Sequence, residues 1–184
     1  KKRRICEMKK LRKIFGTVVL LAMLMAGTAY AQIPTIDSLP GHYNQSVLLK
    51  NGETTSQDKI ESYERRGTIF SAGMIQITNE QNGNLYISVD TAAHVKVDSI
   101  YQAVYLEKWD DKSEDWVQIG HWEFERTKEE EDNNLTSYHV GFTVSGCEVN
   151  RYYRATAIHL VQLGDDAEGK ATSTNGVLLT DHAS

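Results

Sequence analysis

The chain has 184 residues, 40% hydrophobic and 24% charged, with only two prolines. That is enough for one domain with its own core, and it argues against a proline-rich stalk. The formal net charge is −5, but residues 1–31 hold eight of the 20 Lys/Arg and one of the 25 Asp/Glu, so residues 32–184 carry 12 basic against 24 acidic residues, a charge of −12. A surface this acidic excludes nucleic acid as a partner, because phosphate backbones are bound through basic patches.

The first residues have the pattern of a processing signal. Met8 is followed by Lys9, Lys10, Arg12 and Lys13, then by an apolar run from Ile14 to Ala26, then by Ala29-Tyr30-Ala31. A basic region, a short apolar region and a small-residue cleavage motif predict a signal peptide over residues 1–31 cut before Gln32. The apolar run is shorter than the roughly 20 residues a membrane-spanning helix needs, so the expectation is a secreted protein with no membrane association after cleavage. Residues 1–7 precede Met8, and Lys2-Arg3-Arg4 can be encoded by a purine-rich run. They are expected to be an untranslated bacterial leader, or else a longer basic region.

Residues 32–66 read as a polar leader, with Pro34, Pro40-Gly41 and the stretch from Asn51 to Gly67 weakly patterned. A short strand at residues 46–50 and a helical turn at residues 57–64 are expected within it. From Gly67 the rhythm becomes that of strands. Residues 68–78 form the first, with a bulge expected at Ala72-Gly73. The Gln81-Asn82-Gly83 turn leads to residues 85–90, where Leu85, Ile87 and Val89 alternate with Tyr86 and Ser88.

Residues 99–109 and 116–127 form the clearest hairpin, around the charged loop from Asp110 to Asp115. Tyr138, Val140, Phe142 and Val144 give residues 137–145 one apolar face. Residues 150–163 form the most strand-like run, expected at the centre of a sheet. A final strand covers residues 170–180, broken at Asn175-Gly176. Seven turn-separated strands without helical periodicity predict an all-β, mostly antiparallel β-sandwich over residues 67–184.

The hairpin YQAVYLEKWDDKSEDWVQI and the strand NRYYRATAIHL resemble parts of a fibronectin type III or immunoglobulin-like sandwich. That resemblance puts Tyr152 or Tyr153 at the tyrosine-corner position. The early core tryptophan and the disulfide pair of immunoglobulin domains are absent. The layout also resembles an uncharacterised family of small secreted proteins of Gram-positive bacteria, through Arg66-Gly67, Tyr152-Tyr153-Arg154 with His159, and Ser173-Thr174-Asn175-Gly176. That resemblance implies secretion and fold, and no activity.

Chemistry is sparse in the sequence. The six histidines fall one to a segment, with no H-x-H or H-E-x-x-H pair, so no metal site and no cofactor is expected. His121, His139 and His159 lie on three strands and could meet in a shared site. No serine sits in a G-x-S-x-G elbow. The acidic loops lack the calcium-loop pattern and read as solvated surface. Cys147 is the single cysteine of residues 32–184, so it forms no intramolecular disulfide there, and a small residue packed beside Gly146 is the expected role.

The remaining feature is aromatic. Trp109, Trp116 and Trp122 crowd one hairpin, and exposed aromatics on a sheet stack on sugars or fill a partner's pocket. The sequence therefore predicts a non-catalytic extracellular module that binds a protein or glycan through the sheet bearing Trp122, with Trp109 and Trp116 as further candidates, or through the loops at one end. A secreted hydrolase with a loop-borne site and a structural envelope-associated protein are the alternatives.

Overall fold

A computed structural model describes residues 35, 38–41, 46–63 and 68–182. The chain divides into two units, residues 1–34 and 35–184, and all described residues lie in the second. The expected signal peptide, His42 and Arg66-Gly67 lie outside the described residues.

The described residues form nine strands: β1 (Thr55–Glu61), β2 (Phe70–Asn79), β3 (Leu85–Ala93), β4 (Ser99–Asp110), β5 (Asp115–Thr127), β6 (Ser137–Val144), β7 (Tyr152–Leu163), β8 (Asp166–Ser173) and β9 (Val177–Leu178). Every strand pairing is antiparallel. One sheet has the order β1-β2-β3-β6 and the other β5-β4-β7-β8, with β9 also pairing with β7. The two pack face to face across a shared core.

Nine strands replace the expected seven for two reasons. First, β1 forms where a helical turn was expected. Its inward residues are Ser56, Asp58 and Ile60, mostly polar, so the strand lacks the apolar alternation that announces one. Second, the final strand is split at Thr174-Asn175-Gly176, and β8 begins at Asp166, inside the stretch read as a loop. The strand expected at residues 46–50 reduces to one parallel bridge, Leu48 with Gly176.

Alternation fixes which side chains face the core. Ile75 and Ile77 of β2, Leu85, Ile87 and Val89 of β3, Val104 and Leu106 of β4, and Tyr153, Ala155 and Ala157 of β7 are buried in one cluster. Phe70, Val97, Ile100, Leu135 and Val161 form a second cluster. At roughly 1.5–3 kcal/mol for each large apolar side chain, this burial is the main force holding the sheets together.

Between the clusters lies a polar layer. Thr91 pairs with Gly73 in one sheet and Gln102 with His159 in the other. His159 is fully buried, with Nδ1 2.8 Å from Thr91 Oγ1 and Nε2 2.8 Å from Thr172 Oγ1. Gln102 donates to Thr91 Oγ1 at 3.0 Å. The Thr91 hydroxyl then donates to Nδ1, which leaves Nε2–H to donate to Thr172. Gly73 is glycine because a Cβ there would stand 2.7 Å from the imidazole ring. The bulge of β2 lies one step earlier, between Phe70 and Ala72.

Candidate functional site

The two lateral sides of the molecule are built differently. Along β1 and β8 the gap between the sheets is bridged by polar side chains. Asp58 accepts the Ser173 N–H at 2.9 Å, Ser56 accepts the Asn175 N–H at 2.9 Å, and Glu168 accepts the Phe70 N–H at 2.8 Å. Residues 46–49 run beside β8 and β9: Gly176 N–H donates to Val47 O at 2.8 Å, and Leu49 N–H donates to Gly176 O at 2.9 Å. Backbone donors on that edge are thereby satisfied, as burial requires.

Along β5 and β6 the same gap is lined by apolar groups that are only partly buried: Trp122, Phe124, Val140, Phe142, Val144 and Cys147. The rings of Trp122 and Phe142 pack with centroids 5.0 Å apart, and those of Phe124 and Phe142 5.5 Å apart. At one end the gap widens into a groove of about 300 Å³ lined by Leu106, Ile119, Trp122, Val144, Cys147 and Tyr153, with Lys108 and Glu148 at its rim. Those two form a 3.4 Å ion pair. Burial raises the Cys147 thiol pKa, an effect that nearby Lys108 partly offsets, so the thiol is a weak nucleophile.

A bulge shapes the mouth of the groove. Leu106 pairs with Gly120 but Glu107 pairs with Gln118, so Ile119 is the extra residue of β5. It is 48% exposed, and Val117 nearby is 46% exposed. Two branched apolar side chains thus stand exposed on the edge strand that carries Trp122.

The three tryptophans do not form one site. Trp109 and Trp116 pair edge to face, 5.3 Å between centroids, at the turn end of the β4–β5 hairpin. The Arg154 guanidinium lies 4.7 Å from the Trp116 ring and binds Glu107 through two bonds, of 2.7 and 3.2 Å. A Cβ on Gly176 would be 2.6 Å from Trp116. Trp116 thus fastens the hairpin to β7 and β9, and its contacts are those of a structural residue. Trp122 alone faces the groove.

The three strand histidines do not converge either. His121 stacks on Tyr105, with centroids 4.6 Å apart, on the outer face of the second sheet. His139 meets Asp90 at 2.7 Å on the outer face of the first. His159 lies between the sheets, where burial lowers its pKa to about 3 and keeps it neutral. No group of three metal-binding side chains occurs among the described residues.

A family model matches residues 45–177. The chain belongs to DUF6147, a family of unknown function. The DUF6147 match begins beside the segment that closes the β8 edge and ends at the first residue of β9, so it takes in both lateral sides and the groove. No curated protein matches the chain. Alternation along Trp116 to Phe124 sets Val117 and Ile119 on the face opposite Trp122 and Phe124, where both are exposed, but it gives no sign of the bulge at Ile119.

Proposed function

We propose that the chain is a secreted, non-catalytic binding module of the fibronectin type III or immunoglobulin-like type, which holds its ligand in the groove beside Trp122. The observation that carries this reading is the contrast in cover. Core-facing residues of β2, β3, β4 and β7 are sealed, while those of β5 and β6 remain partly open and end in an aromatic groove with an exposed Ile119 and Val117.

The fold type is supported by the order in which the chain visits its sheets: β2 and β3, then across to β4 and β5, back to β6, and across again to β7 and β8. It is also supported by Tyr153, at the start of β7, whose buried hydroxyl donates to Glu148 O at 2.8 Å. Secretion is supported by the basic, apolar and Ala-Tyr-Ala sequence of residues 8–31. Gram-positive origin of the family is supported by the sequence resemblance.

The test is titration of the purified protein with cell-wall glycans and with extended peptides, monitored by tryptophan fluorescence, beside an Ile119→Asp variant. Ile119 is exposed enough for the charge to be tolerated in folding. Saturable binding that the variant weakens about tenfold or more supports the groove. Binding unaffected by the variant, or no binding in either ligand class, overturns the reading.

A further inference from the structure

The proposal of a binding groove leaves the kind of ligand open, and the backbone of β5 narrows it. β5 is the terminal strand of its sheet, and among the described residues no strand pairs along its outer edge. The phase of its hydrogen bonds follows from one of them. Lys128 N–H donates to Asp98 O at 2.9 Å, so alternate residues from Lys128 back to Gly120 turn their backbone groups toward β4. His121, Glu123 and Glu125 therefore turn their N–H and C=O groups outward. The outward N–H of the next residue in that series, Thr127, is already taken by Glu130 Oε2 at 2.8 Å, which ends the open stretch.

Side chains follow the same alternation. Trp122 and Phe124 point inward to the gap between the sheets, while His121, Glu123 and Glu125 stand exposed on the outer face. Any strand laid against this edge would place every second side chain over Trp122 and Phe142, and the intervening ones beside Glu123 and Glu125. The wider field has the same sign: from Glu107 to Asp132 there are eleven acidic and four basic residues. This one hairpin and its flanks carry more than half of the −12 of residues 32–184.

We infer that the ligand is an extended peptide segment with alternating apolar and basic residues, which adds as a further strand to the outer edge of β5 with its apolar side chains in the groove beside Trp122. Main-chain bonds supply the pairing, and the alternation supplies the specificity. The acidic edge keeps two copies of this chain from pairing through the same strands, because like charges on neighbouring strands repel.

This inference rests on the groove reading, and the experiment separates the two. The probe is an acetylated, amidated (Lys-Val)4 peptide. Its control is a block peptide of the same composition, four lysines followed by four valines. Each is titrated into the purified protein at low salt, with amide exchange followed by NMR. The alternating peptide is expected to bind at least tenfold more tightly than the block peptide and to slow exchange of the His121, Glu123 and Glu125 amides at least tenfold. Glu123→Pro, which removes an outward N–H and leaves the bonds to β4 intact, should abolish that slowing. A Glu123→Gln/Glu125→Gln double variant, which keeps the backbone, should bind the alternating peptide roughly five- to tenfold more weakly and lose most of the salt dependence. Equal binding of the two peptides, or binding with unchanged edge amides, overturns strand addition. A glycan that binds, loses affinity with Ile119→Asp and leaves the edge amides unchanged would overturn it too, while preserving the groove.

Discussion

The β1/β8 side and the β5/β6 side of the molecule bound the same core and treat it in opposite ways. On the first, Asp58, Ser56 and Glu168 spend their polar groups on backbone N–H donors of the facing sheet, and residues 46–49 lie along the remaining edge. On the second, a bulge and partly buried aromatics leave the edge of β5 open. A side that is stapled by buried hydrogen bonds tolerates little change, whereas a side that is left open can change its residues at small cost to stability. The difference puts the bridging hydrogen bonds on one flank and, under the proposed binding role, the contact surface on its opposite.

The sharpest way to break that contrast is at the polar layer reaching the closed side. His159→Ala leaves a cavity and deprives the Thr91 and Thr172 hydroxyls of their shared partner. A loss of roughly 3–5 kcal/mol is expected from chemical denaturation. Acid attacks the same residue. Because the folded pKa of His159 lies near 3, below the ordinary value of 6.5, the unfolded chain takes up a proton that the folded one refuses between those limits. Stability contributed by the neutral ring is therefore complete above about pH 6.5 and falls as pH drops toward 3, with a slope of up to about 1.4 kcal/mol per unit. Denaturation curves at several pH values should show that slope in the wild type and not in His159→Gln.

At the closed edge itself, Asp58→Ala strands the Ser173 N–H and should cost about 1–3 kcal/mol, measured by thermal or urea unfolding. Asp58→Asn keeps an acceptor and should lose less than about half of that. The smallest effect is expected on the open flank. Ile119→Ser should stay within about 0.5 kcal/mol of the wild type, because the side chain is already half in water. Comparable losses for Ile119→Ser and Asp58→Ala would erase the distinction between the two flanks.

The strands with apolar alternation were readable from sequence, and those with polar inward faces were not. Leu85, Ile87 and Val89, or Tyr138, Val140, Phe142 and Val144, announce their strands because only apolar groups occupy the core side. β1 hides because its inward Asp58 and Ser56 serve as hydrogen-bond acceptors for the last residue of β8 and for Asn175 just after it, a role that exists only once a segment 115 or more residues away has arrived. Gly73 suggested a bulge, but it pairs regularly with Thr91, and the ring it makes room for belongs to His159 on the other sheet. For the site, an aromatic hairpin was visible, yet spacing could not tell Trp116, locked against Gly176 and Arg154, from Trp122, which faces the groove.

The bonds that close the β1/β8 flank join residues very far apart in the chain. Ser46 donates to Thr174 O across 128 residues, and Asp58 meets Ser173 across 115. During synthesis, β1 emerges 115 residues or more before the partners of Asp58 and Ser56 exist. Closure of the flank is thus a late event, and long-range pairing of this kind is slow. A nascent chain that has reached the end of β7 but not Ser173 holds β1 to β7 and still lacks the Asp58–Ser173 and Ser46–Thr174 bonds of this flank, which leaves it open to proteases until they form.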